Sequence, residues 1–157
     1  MARLPDRFDL VVRKARQCFD PARQADFVLG ALAGLDEWHF LNVGATETPQ
    51  AAQAGIDGAR HLLVFSDLDR IEELVKQNAG AAGLEAISIP CPAAMSWCLE
   101  RRAGLLVNPG EDAVSIPLQQ LEIFYAEWNA RGGRQAAGLW IPNMTSEEED
   151  FWRQNGL

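Results

Sequence analysis

The side chains able to do chemistry in this sequence are few and widely spaced. Its thiols are Cys18, Cys91 and Cys98, and its imidazoles are His39 and His61. Two thiolates grip one metal ion when they stand two to four residues apart, and these do not, so the spacing encodes no metal site and implies no cofactor. Cys91 and Cys98 are seven apart and would share a helix face two turns apart, either as small core hydrophobes or as a redox pair. Cys91 precedes the helix-opening Pro92, where a helix N-terminus lowers a thiol's pKa, yet no base accompanies it in the sequence. His39, between Trp38 and Phe40, and His61, heading an apolar run, could each be a general base beside a pocket or a hydrogen-bonded strand residue. Ser66 with Asp67 and Asp69 sets a hydroxyl among carboxylates, but the G-x-S-x-G elbow is missing and the same residues read as a Ser-x-x-acid helix cap. Glu147, Glu148, Glu149 and Asp150 point in different directions around a helix start, where the macrodipole favours acids. No G-x-x-x-x-G-K-[ST] or G-x-G-x-x-G run occurs to cradle a phosphate. No catalytic residue is therefore assigned.

Five tryptophans, Trp38, Trp97, Trp128, Trp140 and Trp152, are the more suggestive feature, because a large apolar ring with a polar edge is what interfaces use as an anchor. Trp38, Trp97 and Trp128 fall within periodic elements and read as core. Trp140 and Trp152 lie in a C-terminal segment, 134–157, that would dock on its own chain or on another.

The elements that must position these residues are legible from periodicity and punctuation. Phe8, Val11, Val12 and Ala15 recur at helical spacing, and Asp20-Pro21 caps and opens a second helix ending near Gly34, which predicts a helical hairpin over 1–34. The period changes to two at 37–43, where Trp38, Phe40 and Asn42 share one strand face and Glu37, His39 and Leu41 the other. A short edge strand at 50–55 precedes the Asp57-Gly58 turn. The run 60–65 is a strand feeding a helix that starts at the Ser66 cap, buries Leu68, Ile71, Leu74 and Val75, and stops at the 80–83 glycine cluster. Strands follow at 84–89, 105–107 and 113–116. Helices open at Pro92 and Pro117, the latter striped by Leu118, Leu121, Phe124, Tyr125 and Trp128. A last short helix is expected from a capping box at Ser146 and Glu149. The alternation predicts one mixed α/β or α+β domain, 35–133, with a mixed sheet flanked by helices, the hairpin packed on it and 134–157 as an arm.

With 157 residues, 48% of them hydrophobic, the chain can bury a core without disulfide or metal staples. Its 14 Lys plus Arg against 22 Asp plus Glu give a formal net charge of −8, which disfavours nucleic acid and anionic membranes as partners. No apolar run reaches spanning length, and three unclustered thiols suit a reducing cytoplasm. Residues 1–34 carry six basic and four acidic side chains and residues 111–157 three and eight, so contact between the two ends is expected, within a chain or between two copies as a homodimer through the arm.

The run Leu62-Leu63-Val64-Phe65-Ser66-Asp67 and the strand and turn Gly104-Leu105-Leu106-Val107-Asn108-Pro109-Gly110 resemble the N-terminal domain of the SseB family, named for enhanced serine sensitivity. The resemblance spans about residues 36–128. It implies a cytoplasmic bacterial α/β domain acting as an interaction or regulatory module, with no catalytic residues to carry over. Loops at strand ends are where partners meet such scaffolds, so the expected surface joins Phe65, Ser66, Asn108, Pro109 and Gly110 with Trp140 and Trp152. The rival is a small enzyme or metabolite sensor using Cys91, His39 or His61 in a concealed pocket.

Overall fold

Proline, glycine and small polar residues cut the apolar pattern into short elements, and the fold follows from how those elements cover one another. The structure, a computed structural model, describes residues 7–17, 20–110, 113–133 and 139–155. Cys18, Glu111, Asp112 and residues 134–138 of the arm lie outside the described residues. In chain order the elements are α1 (Arg7–Ala15), α2 (Pro21–Ala33), β1 (Glu37–Asn42), β2 (Gln53–Ile56), β3 (Ala59–Val64), α3 (Leu68–Gln77), a 3-10 turn at Ala79–Ala81, β4 (Glu85–Pro90), α4 (Cys91–Glu100), β5 (Gly104–Val107), β6 (Val114–Ile116), α5 (Leu118–Ala130) and α6 (Ser146–Gln154). They form a single α+β domain with a mixed sheet flanked by helices.

The strands form two sheets joined by isolated bridges. One is β1 with β4, antiparallel; the other runs β2-β3-β5-β6, in which β3 and β5 are parallel and the remaining pairs antiparallel. His39 and Phe65 stitch the ladders together, each N–H bonding the other's carbonyl at 3.1 and 2.8 Å. Asn42 and Ala51 form a second bridge. Asp57 and Gly58, at φ 51° and 77°, make the tight turn from β2 to β3. The strand expected at 50–55 lies at Gln53–Ile56, and Ala51 ahead of it pairs with Asn42.

The two faces of the sheet differ in depth. Trp38, Phe40, Leu62, Val64, Leu105 and Val107 enter the main core with α1, α2, α4 and α5, and Trp38 donates its indole N–H to the Leu32 carbonyl at the end of α2 at 2.8 Å. Leu41 and Phe65 point the other way and join Ile71 of α3 in a smaller cluster. The predicted alternation along β1 holds, and both faces of that strand are covered. Leu68, expected inside, is 45% exposed. Leu68 is the first residue of α3, because Asp67, not Ser66, accepts the Arg70 N–H as cap, at 3.1 Å. The cap also differs by one residue at α6, where the capping box is formed by Thr145 and Glu148 in place of Ser146 and Glu149.

Gly104 opens β5 where space is smallest. A Cβ there would stand 2.5 Å from the Ile116 carbonyl oxygen and 3.0 Å from the His61 ring, and the first of these is backbone that cannot swing aside. Gly104→Ala is expected to lower the free energy of unfolding by about 1–3 kcal/mol, the usual cost of overpacking. Chemical denaturation checks this, and an unchanged midpoint would mean that β6 yields to the methyl group.

Candidate functional site

Parallel strands β3 and β5 end side by side, and the chain leaves both from the same edge, the place where open α/β sheets form clefts. Here the loop ends are tied to each other. Asn108 bonds the Val64 carbonyl through its N–H at 2.8 Å, continuing the ladder by one residue, and then turns into the left-handed region at φ 49°. That turn aims its side-chain amide at Ser66. Its Oδ1 accepts the Ser66 N–H at 2.9 Å, and its Nδ2 donates to Ser66 Oγ at 3.1 Å. Asparagine suits both tasks, since it tolerates left-handed backbone and offers a donor and an acceptor on one planar group.

Beside this clamp α3 presents Arg70, Glu73, Leu74 and Gln77 along one face, and with Asn108, Pro109 and Gly110 they line a cleft of 490 Å³. Arg70 is held in place from two sides: its Nε donates to Asp67 at 3.1 Å and its Nη2 to Asp9 of α1 at 2.5 Å. The cleft thus has a fixed guanidinium between carboxylates, the Glu73 acid and the Gln77 amide, on a largely polar wall suited to hydrogen-bonded recognition.

The expected loop residues are brought together, though not as one exposed surface. Phe65, Ser66 and Asn108 are buried and shape the cleft, while Pro109 is half-buried and Gly110 exposed. Arg70, Glu73 and Gln77 escaped the sequence reading, whose one usable signal was the Asp67–Arg70 spacing of an acid three residues before a base. Trp140 and Trp152 do not line the cleft. Trp152 is 3% exposed, with its ring centroid 5.2 Å from that of Phe27, and its indole N–H has no hydrogen-bond partner among the described residues. Trp140 is half-buried, 5.8 Å from the Phe124 ring, with the Arg131 guanidinium 4.7 Å from its centroid. Of the two docking alternatives for the arm, its described part takes the same-chain one. Arg23 of α2 binds Glu148 through two nitrogens and also bonds Asp26 and the carbonyls of Pro142 and Asn143. The opposite charges of the chain's ends meet here within one molecule.

The residues of the enzyme reading are engaged elsewhere. Cys91 and Cys98 are fully buried. The Cys91 thiol lies 3.5 Å from the Ala33 carbonyl and 3.7 Å from that of Leu32, satisfying the end of α2. Burial pushes the Cys98 thiol up to about 12. His39 Nδ1 lies 2.7 Å from Ser88 Oγ on β4, and burial lowers its pKa against the pull of Glu37 and Asp67. His61 Nδ1 bonds the Ala59 carbonyl at 3.0 Å. Among the described residues no group of three His, Cys, Asp or Glu is placed to hold a metal ion, and no helix is long and apolar enough to cross a membrane.

Two outcomes follow. Asn108→Ala should destabilise by about 2–3 kcal/mol, since it strands the buried Ser66 N–H and puts a Cβ-bearing residue without local bonds at positive φ. Asn108→Gly restores the backbone freedom and should lose less, a ranking that denaturant titration reads directly. Cys91 and Cys98 should resist alkylation at neutral pH until the chain unfolds, and peptide mapping after iodoacetamide treatment would overturn this if either labelled in the native state. Comparison with protein-family models, with curated proteins and with solved structures finds no match, so function is read from the cleft itself.

Proposed function

We propose that the chain is a non-enzymatic protein-interaction or regulatory module of the SseB-like type, working in the cytoplasm and using the cleft at the ends of β3 and β5 to hold a polar segment of a partner protein. The observation that carries this reading is the fixed polar wall: Arg70 anchored by Asp67 and Asp9 on one side, and the Ser66–Asn108 clamp on the other. Groups immobilised before binding lose little entropy on binding, which is how a small interface gains affinity. A homodimer anchored by Trp152 or Ile141 of the arm would require those side chains to leave the core they occupy.

A second reading has its own support. At 490 Å³ the cleft falls within the range of small-molecule sites, which favours a polar metabolite as the regulated signal.

The test is affinity capture from the native host with the wild-type chain, an Arg70→Glu, Gln77→Ala variant, and an Ile123→Ser variant that changes an exposed helix residue outside the cleft. A near-stoichiometric partner weakened tenfold or more by the cleft variant alone is the expected result. A partner retained equally by all three would place the interface elsewhere. Absence of any partner, with a cleft-dependent rise in melting temperature in a metabolite screen, would move the conclusion to the second reading.

A further inference from the structure

We propose that two copies of the chain associate edge to edge through β4, antiparallel, in the one register centred on Ile87. The outer edge of β4 follows from the hydrogen-bond parity of β1. His39 and Leu41 turn their backbone groups away from β4: His39 exchanges bonds with Phe65, and the Leu41 carbonyl accepts the Ala52 N–H at 2.8 Å. Trp38, Phe40 and Asn42 must then face β4, where the register sets them against Ile89, Ile87 and Glu85. The Cys91 N–H bond to the Asp36 carbonyl, at 2.9 Å, continues the same parity. Ala86 and Ser88 are therefore left with N–H and C=O groups pointing outward, and both residues are exposed. Pro90, next in that parity, has no N–H.

This edge differs from the others of the sheet. It is six residues long, against four in β2 and three in β6. Protective features of edge strands, charge and proline, are confined to its ends at Glu85 and Pro90, and 86–89 is uncharged. The pattern is also self-complementary. With a two-fold axis at Ile87, Ala86 faces Ser88 of the second copy and Ser88 faces Ala86, closing four main-chain hydrogen bonds. Centring on Ala86 sets Ser88 against Leu84, which lies outside β4 and whose N–H is already bonded to the Ala81 carbonyl at 3.1 Å, and centring on Ser88 sets Ala86 against the donorless Pro90. In the favoured register each Glu85 faces Ile89, and the two Glu85 residues stand four strand positions apart, roughly 13 Å, beyond the screening length at physiological salt. The chain's acidic character therefore does not oppose the pairing locally. So short a contact buries little surface, which makes the dimer concentration-dependent.

The Ile87→Cys variant in a Cys18→Ser background tests the register, because residues facing each other in a non-hydrogen-bonded antiparallel pair have Cα atoms about 4.5 Å apart, within disulfide reach. Mild oxidation should give a disulfide-linked dimer at least tenfold faster than Ser115→Cys on the β6 edge. Sedimentation of the unmodified chain covers the case in which Ile87→Cys folds poorly. It should dimerise with rising concentration, Ala86→Pro should shift that transition tenfold or more to higher concentration with unchanged circular dichroism, and Arg70→Glu in the cleft should leave it unmoved. A wild-type chain that stays monomeric at the highest attainable concentration, a dimer indifferent to Ala86→Pro, or cross-linking no faster than the Ser115→Cys control would overturn the proposal.

Discussion

The reciprocal pair of main-chain bonds between His39 and Phe65 is the constraint on which the architecture depends. It makes β1 an interior strand, with β4 on one side and the end of β3 on the other. Both faces of that strand are covered: Trp38 and Phe40 lie in the main core with α2 and α4, and Leu41 lies with Phe65 and Ile71 of α3 in the smaller cluster. The path from β3 to its parallel neighbour β5 then has to travel out through α3, form β4 at the far margin and return through α4. A sheet open at β4 and a cleft beside α3 are two consequences of one pairing.

The cleft exists because the ends of β3 and β5 are held in register beyond the last ladder residue. Without the Asn108 amide the Ser66 N–H would be a buried donor with no partner, a cost comparable to that of a lost core methylene or more. With it, Ser66 is committed to the clamp and cannot cap α3. Asp67 takes over the cap, α3 starts one residue later, and Arg70 falls where Asp67 and Asp9 can both reach it. Arg70 is the one cation among the described residues that line the cleft, and its position is thus set by a hydrogen bond between two neutral side chains on neighbouring loops.

The same detail marks the limit of what was legible in the sequence. Asp20-Pro21, the period change at Trp38, and Asn108-Pro109-Gly110 announce their elements because their causes are local: a cap, a two-residue repeat, a turn with a left-handed position. The capping frames at Ser66 and Ser146 were each off by one because an acid-bearing pattern fits two adjacent frames, and distant residues decide between them. Ser66 is claimed by Asn108 from 42 positions away, and Glu148 by Arg23 from 125. Pairing of His39 with Ser88 is likewise a property of strand register. Gly30 is the local trace of the arm: it sits inside a helix, where glycine is costly, and a Cβ there would stand 2.6 Å from Ile141 and 2.9 Å from the Trp140 carbonyl. A glycine tolerated mid-helix marked the seat of the arm.

That seat also explains why a buried charged network is kept where apolar contact would suffice energetically. Arg23, Asp26 and Glu148 have side chains exposed by only 20, 11 and 13%. Burial raises the Asp26 pKa, opposed by its hydrogen bonds from Gln120, at 2.6 Å, and Arg23. Burial acts upward on Glu148 too, but the bonds from Arg23 and Thr145 prevail and hold its carboxyl below the usual value. Taking such charges out of water consumes most of what their attraction returns, so the network adds little net stability over packed apolar residues. Phe27, edge-on to Phe151 and tilted against Trp152, supplies the adhesion. The Thr145–Glu148 capping box and the two bonds from Arg23 fall on the same carboxylate, so together they fix which of the adjacent acids faces α2, and the apolar contacts hold the helix against the core in that frame.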